Sequence, residues 1–320
     1  MVRSRTVLFI TLLFCLALPL SFFWGCGKSA HLSRKQLTIA TGSRSGLYFP
    51  VGEAIARILT ETFKDVQIQV LETDGSRQNI SLMKEGKANL AIIQNDIAYY
   101  AVSGENMFNH QKVDGITGIA TLFPEIVQII VRHADGVTSL DALKGKKVAV
   151  DLENSGTFYN AQQLLTHAKL WDGIHPMNMA PSQAMAALED KTIDAFFFTS
   201  GLPNPNLAEL ASRLPVDVVS ITPELVQEMV NAYPFYFPTQ IPKGTYVGMA
   251  SDSDGLEINA ILAADGNFTD DDIYLVTHAI FGSLDTIKKA HKTLSQITKA
   301  SLRRQLSIPL SEGARRALAE

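Results

Sequence analysis

Residues 38–48 read Thr-Ile-Ala-Thr-Gly-Ser-Arg-Ser-Gly-Leu-Tyr. A short apolar strand over 37–40 runs into a loop of Gly42, Ser43, Ser45 and Gly46. A helical pattern follows at once, with Val51, Ala54, Ile55, Ile58 and Leu59 at helix spacing. A strand, a small-residue loop and a helix start bring free backbone N–H groups and the positive end of a helix dipole to one place, which suits an anion. The device recurs where a strand over 147–150 leads through Glu153, Asn154, Ser155, Gly156 and Thr157 into a second helix. Two such starts point to two lobes facing one small acid. Each loop alone reads equally well as an ordinary capped turn.

Working outward, strands alternate with helices. Strands are expected over 67–71, 90–93, 126–131, 194–198, 216–221 and 259–263, and helices over 80–85, 161–168, 182–188, 206–213 and 270–284, with a short helix at 140–143 and another after Asp96. This alternation predicts an α/β fold with parallel strands covered on both faces. Ligands of such sheets sit beyond the carboxyl ends of the strands. Polar residues gather at four of those ends: 41–45, 94–96, 153–157 and 199–203.

The N-terminus carries Arg3 and Arg5, an apolar run over 7–24, then Gly25, Cys26 and Gly27. This is the layout of an export signal over residues 1–26. Cys26 fits a lipidation site, although Phe23 and Trp24 stand where a lipobox has Leu and a small residue. Plain secretion and an uncleaved anchor helix are the alternatives. All three place the body outside the cytoplasmic membrane, in the periplasm or on the membrane's outer face. Both cysteines, Cys15 and Cys26, lie in this region, so the body has no disulfide. Of 28 basic and 32 acidic residues, only Arg3 and Arg5 fall in the signal, which leaves 26 and 32, a net charge of −6. That balance argues against nucleic acid and against a basic membrane-binding face.

No catalytic constellation stands out. The seven histidines show no metal-ligand spacing. Gly42-Ser-Arg-Ser-Gly46 has Arg at its centre and is no nucleophile elbow. No phosphate-binding loop or dinucleotide fingerprint occurs. No metal, cofactor or enzymatic activity is expected. A secreted hydrolase using Ser43 or Ser155, and a sensory ligand-binding module for a signalling partner, remain alternative classes.

A set of motifs gives a more specific picture: Thr41-Gly-Ser-Arg-Ser-Gly-Leu-Tyr48, Thr73-Asp-Gly-Ser-Arg-Gln-Asn79, Gly86-Lys-Ala-Asn-Leu-Ala-Ile-Ile-Gln-Asn-Asp96, Leu143-Lys-Gly-Lys-Lys-Val148, Ser155-Gly-Thr157, Ser200-Gly-Leu-Pro203, Tyr233-Pro-Phe-Tyr236 and Ile241-Pro-Lys-Gly-Thr-Tyr246. In this order and spacing the chain resembles the TAXI-type solute-binding proteins, extracytoplasmic receptors of TRAP (tripartite ATP-independent periplasmic) transporters. It departs from them at Asp74, Glu153 and Asn154, where Gly or Pro is usual. The resemblance implies a type II periplasmic-binding fold with a hinged central cleft. Lobe one would be 37–125 plus 255–320 and lobe two 126–254, with crossover strands at 126–131 and 257–263. It further implies a monomer that hands a small organic acid, of the glutamate or 2-oxoglutarate kind, to TRAP membrane subunits.

The expected ligand-binding residues are Ser43, Ser45, Gly46, Tyr48, Asn79, Gln94, Asn95, Ser155, Gly156, Thr157, Ser200 and Gly201. Ser45 and Thr157 are expected to face each other across the cleft and hold an acidic group. Asp96 would bind an amino group or cap its helix. Arg44 and Arg77 are candidate carboxylate forks.

Overall fold

In a computed structural model, residues 31–290, 294–295, 297–304 and 306–320 are described; the expected signal and Cys26 lie outside them. Among the described residues the strands form one ten-stranded mixed sheet, ordered β2-β1-β3-β10-β4-β7-β5-β6, with β8 on β4 and β9 on β10. Its first half holds β1 (Gln36–Ala40), β2 (Gln67–Leu71) and β3 (Leu90–Gln94), with β1 parallel to both neighbours. Its second half holds β5 (Lys147–Ala149), β6 (His175–Met177) and β7 (Ala195–Ser200), with β5 parallel to both neighbours. The parallel order read from the alternation therefore holds within each half.

Two long strands run through both halves: β4 (Thr117–Arg132) and β10 (Ser253–Ala264). They pair antiparallel with each other from Leu256↔Val127 to Ala264↔Thr117. Beyond that, β10 pairs with β3 and β9 (Phe237–Ile241), and β4 with β7 and β8 (Val216–Val218). The expected segments at 126–131 and 257–263 lie inside these strands, which extend further in both cases. The missed part of β4 contains Pro124, which opposes Asn259 close to a register shift between Ala260 and Ile261. Proline gives no ladder N–H, and such irregularities are where a strand tolerates it. Both expected lobe boundaries, after 125 and after 254, fall within β4 and β10.

Each half is covered on both faces. In the first, α1 (Tyr48–Thr62), α8 (Asp270–Gly282) and α9 (Leu284–Ala290) pack one side. They do so through Val51, Ile55 and Leu59 on α1, Ile273, Val276 and Ile280 on α8, and Ile287 on α9. The residues of α1 and α8 recur every three or four positions, so each helix presents one apolar stripe to the sheet. The other side is closed by α2 (Ser76–Lys84) and α3 (Asn95–Ser103) through Ile80, Met83 and Ile97. In the second half, α4 (Gly156–His167) and α7 (Pro223–Ala232) cover one face, and α5 (Pro181–Glu189) and α6 (Pro205–Arg213) the other. A C-terminal helix, α10 (Glu312–Ala319), packs on α8.

Candidate functional site

One cavity of about 380 Å³ opens where the strand ends of the two halves meet. From the first half it takes the β1–α1 loop (Gly42, Ser43, Gly46, Leu47), Tyr48, the β2–α2 loop and Gln94 at the end of β3. From the second half it takes Asp151, Leu152 and Ser155 between β5 and α4, the start of α5, and Thr199 and Ser200 at the end of β7. Glu125, midway along β4, forms part of the wall between them. Carboxyl ends of six strands thus contribute, as such sheets lead one to expect.

Of the expected residues, Ser43, Gly46, Tyr48, Gln94, Ser155, Gly156, Thr157 and Ser200 line the cavity. Ser45, Asn79, Asn95 and Gly201 do not. The Ser45 hydroxyl pairs with that of Ser43 at 2.6 Å, while its carbonyl accepts from the Asn204 and Asn206 amides at 3.2 and 2.9 Å. Asn79 is turned into the sheet, where its amide donates to the carbonyls of Thr41 and Ile92. Asn95 donates to the Phe235 carbonyl and accepts from Asn259 N–H. These asparagines satisfy backbone groups that burial would otherwise leave unpaired.

The facing pair expected at Ser45 and Thr157 does not form at the cavity. Thr157 Oγ1 accepts from Thr199 N–H at 3.2 Å, and Ser155 Oγ caps α4 by accepting from Phe158 N–H at 3.0 Å. Arg44 and Arg77 do not line the cavity themselves, and each is engaged by a neighbour. Arg44 Nε lies 3.0 Å from Glu72 and its guanidinium stacks on Phe49. Arg77 Nη1 donates to Asn154 Oδ1 at 2.8 Å. Asp96 is buried, accepts from Ile97 N–H and from the Asn160 amide, and does not reach the cavity.

Of the acidic side chains at the cavity, the sequence pointed to Asp74 alone, and Glu72, Glu125 and Asp151 went unnoticed. Glu72, Asp74, Glu125 and Asp151 all line the cavity, and no described lining residue is Lys, Arg or His. Burial above all pushes the Glu125 carboxyl up to about 8, against the Tyr48 hydrogen bond and with the help of Asp96. Tyr48 Oη donates to Glu125 Oε2 at 2.6 Å, and the phenol is itself raised well above its usual range, first by burial and then by Glu125. Burial likewise raises Asp151 to about 7, opposed by Leu152 N–H and the hydroxyls of Ser155 and Thr157. Asp151 has a left-handed backbone, φ +68°, which Asp tolerates better than most residues. At the start of α4 its carboxylate thus lies among the groups that the sequence suggested for an acidic ligand.

The two halves also bond directly. The Arg77 and Gln78 N–H groups, in the first turn of α2, donate to the Asn154 carbonyl at 3.1 and 3.2 Å. Asn154 Nδ2 reaches Asp74 Oδ2 at 3.4 Å. The open end of a helix in one half is therefore capped by a loop of the other.

Solved structures share this architecture. A protein of Bordetella bronchiseptica RB50 is 18% identical, with a TM-score of 0.53, covering 90% of each chain. The alkanesulfonate-binding protein SsuA of Xanthomonas axonopodis pv. citri, bound to MOPS, is 16% identical, with a TM-score of 0.51, covering 89% of this chain and 84% of that one. A binding protein component of an ABC phosphonate transporter from Pseudomonas aeruginosa is 12% identical, with a TM-score of 0.50, covering 82% and 79%. The fold is the two-lobed α/β fold of periplasmic binding proteins. The NMT1-like family model matches residues 39–320, and the chain belongs to that family.

Proposed function

We propose that this chain is an extracytoplasmic receptor that closes its two lobes, 37–125 with 255–320 and 126–254, over one small solute and delivers it to the membrane subunits of an importer. The observation that carries this reading is the cavity built from the strand ends of both halves. Its volume sits at the small end of ligand pockets. The start of α1 offers a seat for a ligand carboxylate, since no side chain caps it, no acidic residue stands in its first turn, and Ser43 and Gly46 lie beside it. This keeps the small organic acid that the sequence resemblance implies, on the lobe-one side.

Binding rather than turnover fits the serines. Ser155 Oγ serves as a helix cap and Ser43 Oγ pairs with Ser45, and neither role calls for a general base. The TAXI-like motifs favour a sodium-driven TRAP transporter as the recipient, and Cys26 a lipid tether. A second reading, delivery to an ABC importer, draws on the phosphonate-transporter component of the same fold. Calorimetric titration with small acids, beside small-angle scattering, tests the receptor: saturable binding without product, and a smaller radius of gyration on binding, are expected. Turnover, or saturable binding with an unchanged radius, would count against it. Uptake in vesicles driven by a sodium gradient or by ATP separates the two importers.

A further inference from the structure

We propose that the solute carries a protonated amino group, held by Glu125 and the side-chain oxygen of Gln94, with Asp151 as a further acceptor. The inference rests on the receptor reading and names the class of its ligand.

Two independent observations carry it. The first is the sign of the lining. Four acidic residues line the cavity and, among the described residues, no Lys, Arg or His does. Glu72 is matched by Arg44, and Asp74 accepts from the Asn154 amide. Glu125 and Asp151 are buried and have no described cation beside them. A carboxylate held in low dielectric without a counter-charge favours its neutral form, and an opposite charge within reach restores ionisation. A ligand ammonium supplies that charge.

The second is Gln94. Its side chain lines the cavity at 3% exposure, and its Oε1 is buried without a hydrogen-bond partner. A buried acceptor left unpaired costs free energy that a ligand N–H donor recovers. An ammonium has three donors and no acceptor, which matches a wall rich in acceptors. Among the described residues no group of three or more His, Cys, Asp or Glu is arranged to hold a metal ion.

The same lining disfavours a solute that is only acidic. A keto acid such as 2-oxoglutarate would bring two negative charges to a cavity that already holds four carboxyls and offers no cation among its described residues, an arrangement that selects against it. An amino acid differs by placing a positive charge there, with its carboxylate free to use the α1 start.

The test compares matched probes on the mature chain by calorimetry: L-glutamate against 2-oxoglutarate, and 4-aminobutyrate against butyrate. The amine of a pair should bind at least tenfold more tightly than its partner. Glu125→Gln should weaken the amine at least tenfold and its partner less than threefold. Equal or tighter binding of the amine-free partner overturns the proposal. If Glu125→Gln does not fold, as circular dichroism would reveal, the wild-type pairs still decide. Mass spectrometry of small molecules released on denaturing the purified protein keeps the two failures apart. A bound molecule lacking nitrogen overturns the amine and leaves the receptor standing. No bound molecule and no response to any probe overturns both.

Discussion

Gly156, the first residue of α4, lies under the amide of Gln94, so close that a Cβ placed on it would stand 2.0 Å from Oε1. The absent side chain lets an amide of one half rest against a helix start of the other. Gly156→Ala should push the Gln94 side chain aside. The displaced group is the far end of a flexible side chain, and Ala suits a helix better than Gly. Melting temperature should therefore hold to within a few degrees. Affinity should fall roughly tenfold, the loss of about one hydrogen bond. Titration beside apo melting curves checks this, and retained affinity would remove Gln94 from the site.

The ligand-free protein should lose stability as pH rises. Glu125 is raised from 4.5 to about 8, chiefly by burial. Below about pH 4.5 it is protonated whether folded or unfolded and costs nothing. Between 4.5 and about 8 the unfolded chain ionises while the folded chain keeps the proton, so each step up in pH favours unfolding. Asp151 and Asp96, each raised from 3.8 to about 7, act in the same direction. Melting curves from pH 5 to 8.5 should decline, and Glu125→Gln should decline less. An identical slope in the variant would remove Glu125 as a source.

Asn154→Ala keeps the backbone carbonyl that caps α2 but removes the side-chain bonds to Arg77 and Asp74. Losing partly exposed hydrogen bonds of about 1 kcal/mol should speed solute release several-fold. Stopped-flow displacement measures it. An unchanged release rate would mean that these bonds do not hold the lobes together.

Cys26 is the proposed anchor. The mature protein should partition into the detergent phase, and Cys26→Ser should release it or block processing. Unchanged partitioning and size in the variant would favour simple secretion or an anchor helix.

Much of the frame was legible because it is written locally. The strand at 67–71 and the helix start near Tyr48 follow from apolar spacing and a small-residue loop, whereas α4, expected from Tyr159, begins three residues earlier at Gly156. The acidic wall was not legible. Glu125 stands in a strand, where a carboxylate reads as an outward-facing residue; its burial depends on Tyr48, 77 positions away. Asn79 reads as a ligand group through its motif and Asn95 through its place at a strand end, yet both turn inward to serve backbone carbonyls. The edge strand at Phe237–Ile241 was missed because Pro238 interrupts its pattern.

The Asn154 carbonyl that caps α2 joins the two halves by bonds that do not depend on a solute. In a clamp that closes as proposed, shutting without cargo would trade bonds to water for bonds between lobes and so populate the closed shape in a fraction of the unloaded molecules. That fraction lessens the penalty a solute meets on arrival. It also means that outline alone is a poor signal of occupancy. Membrane subunits that engage the closed outline would meet empty decoys as well as loaded carriers, and the cargo itself would have to distinguish them.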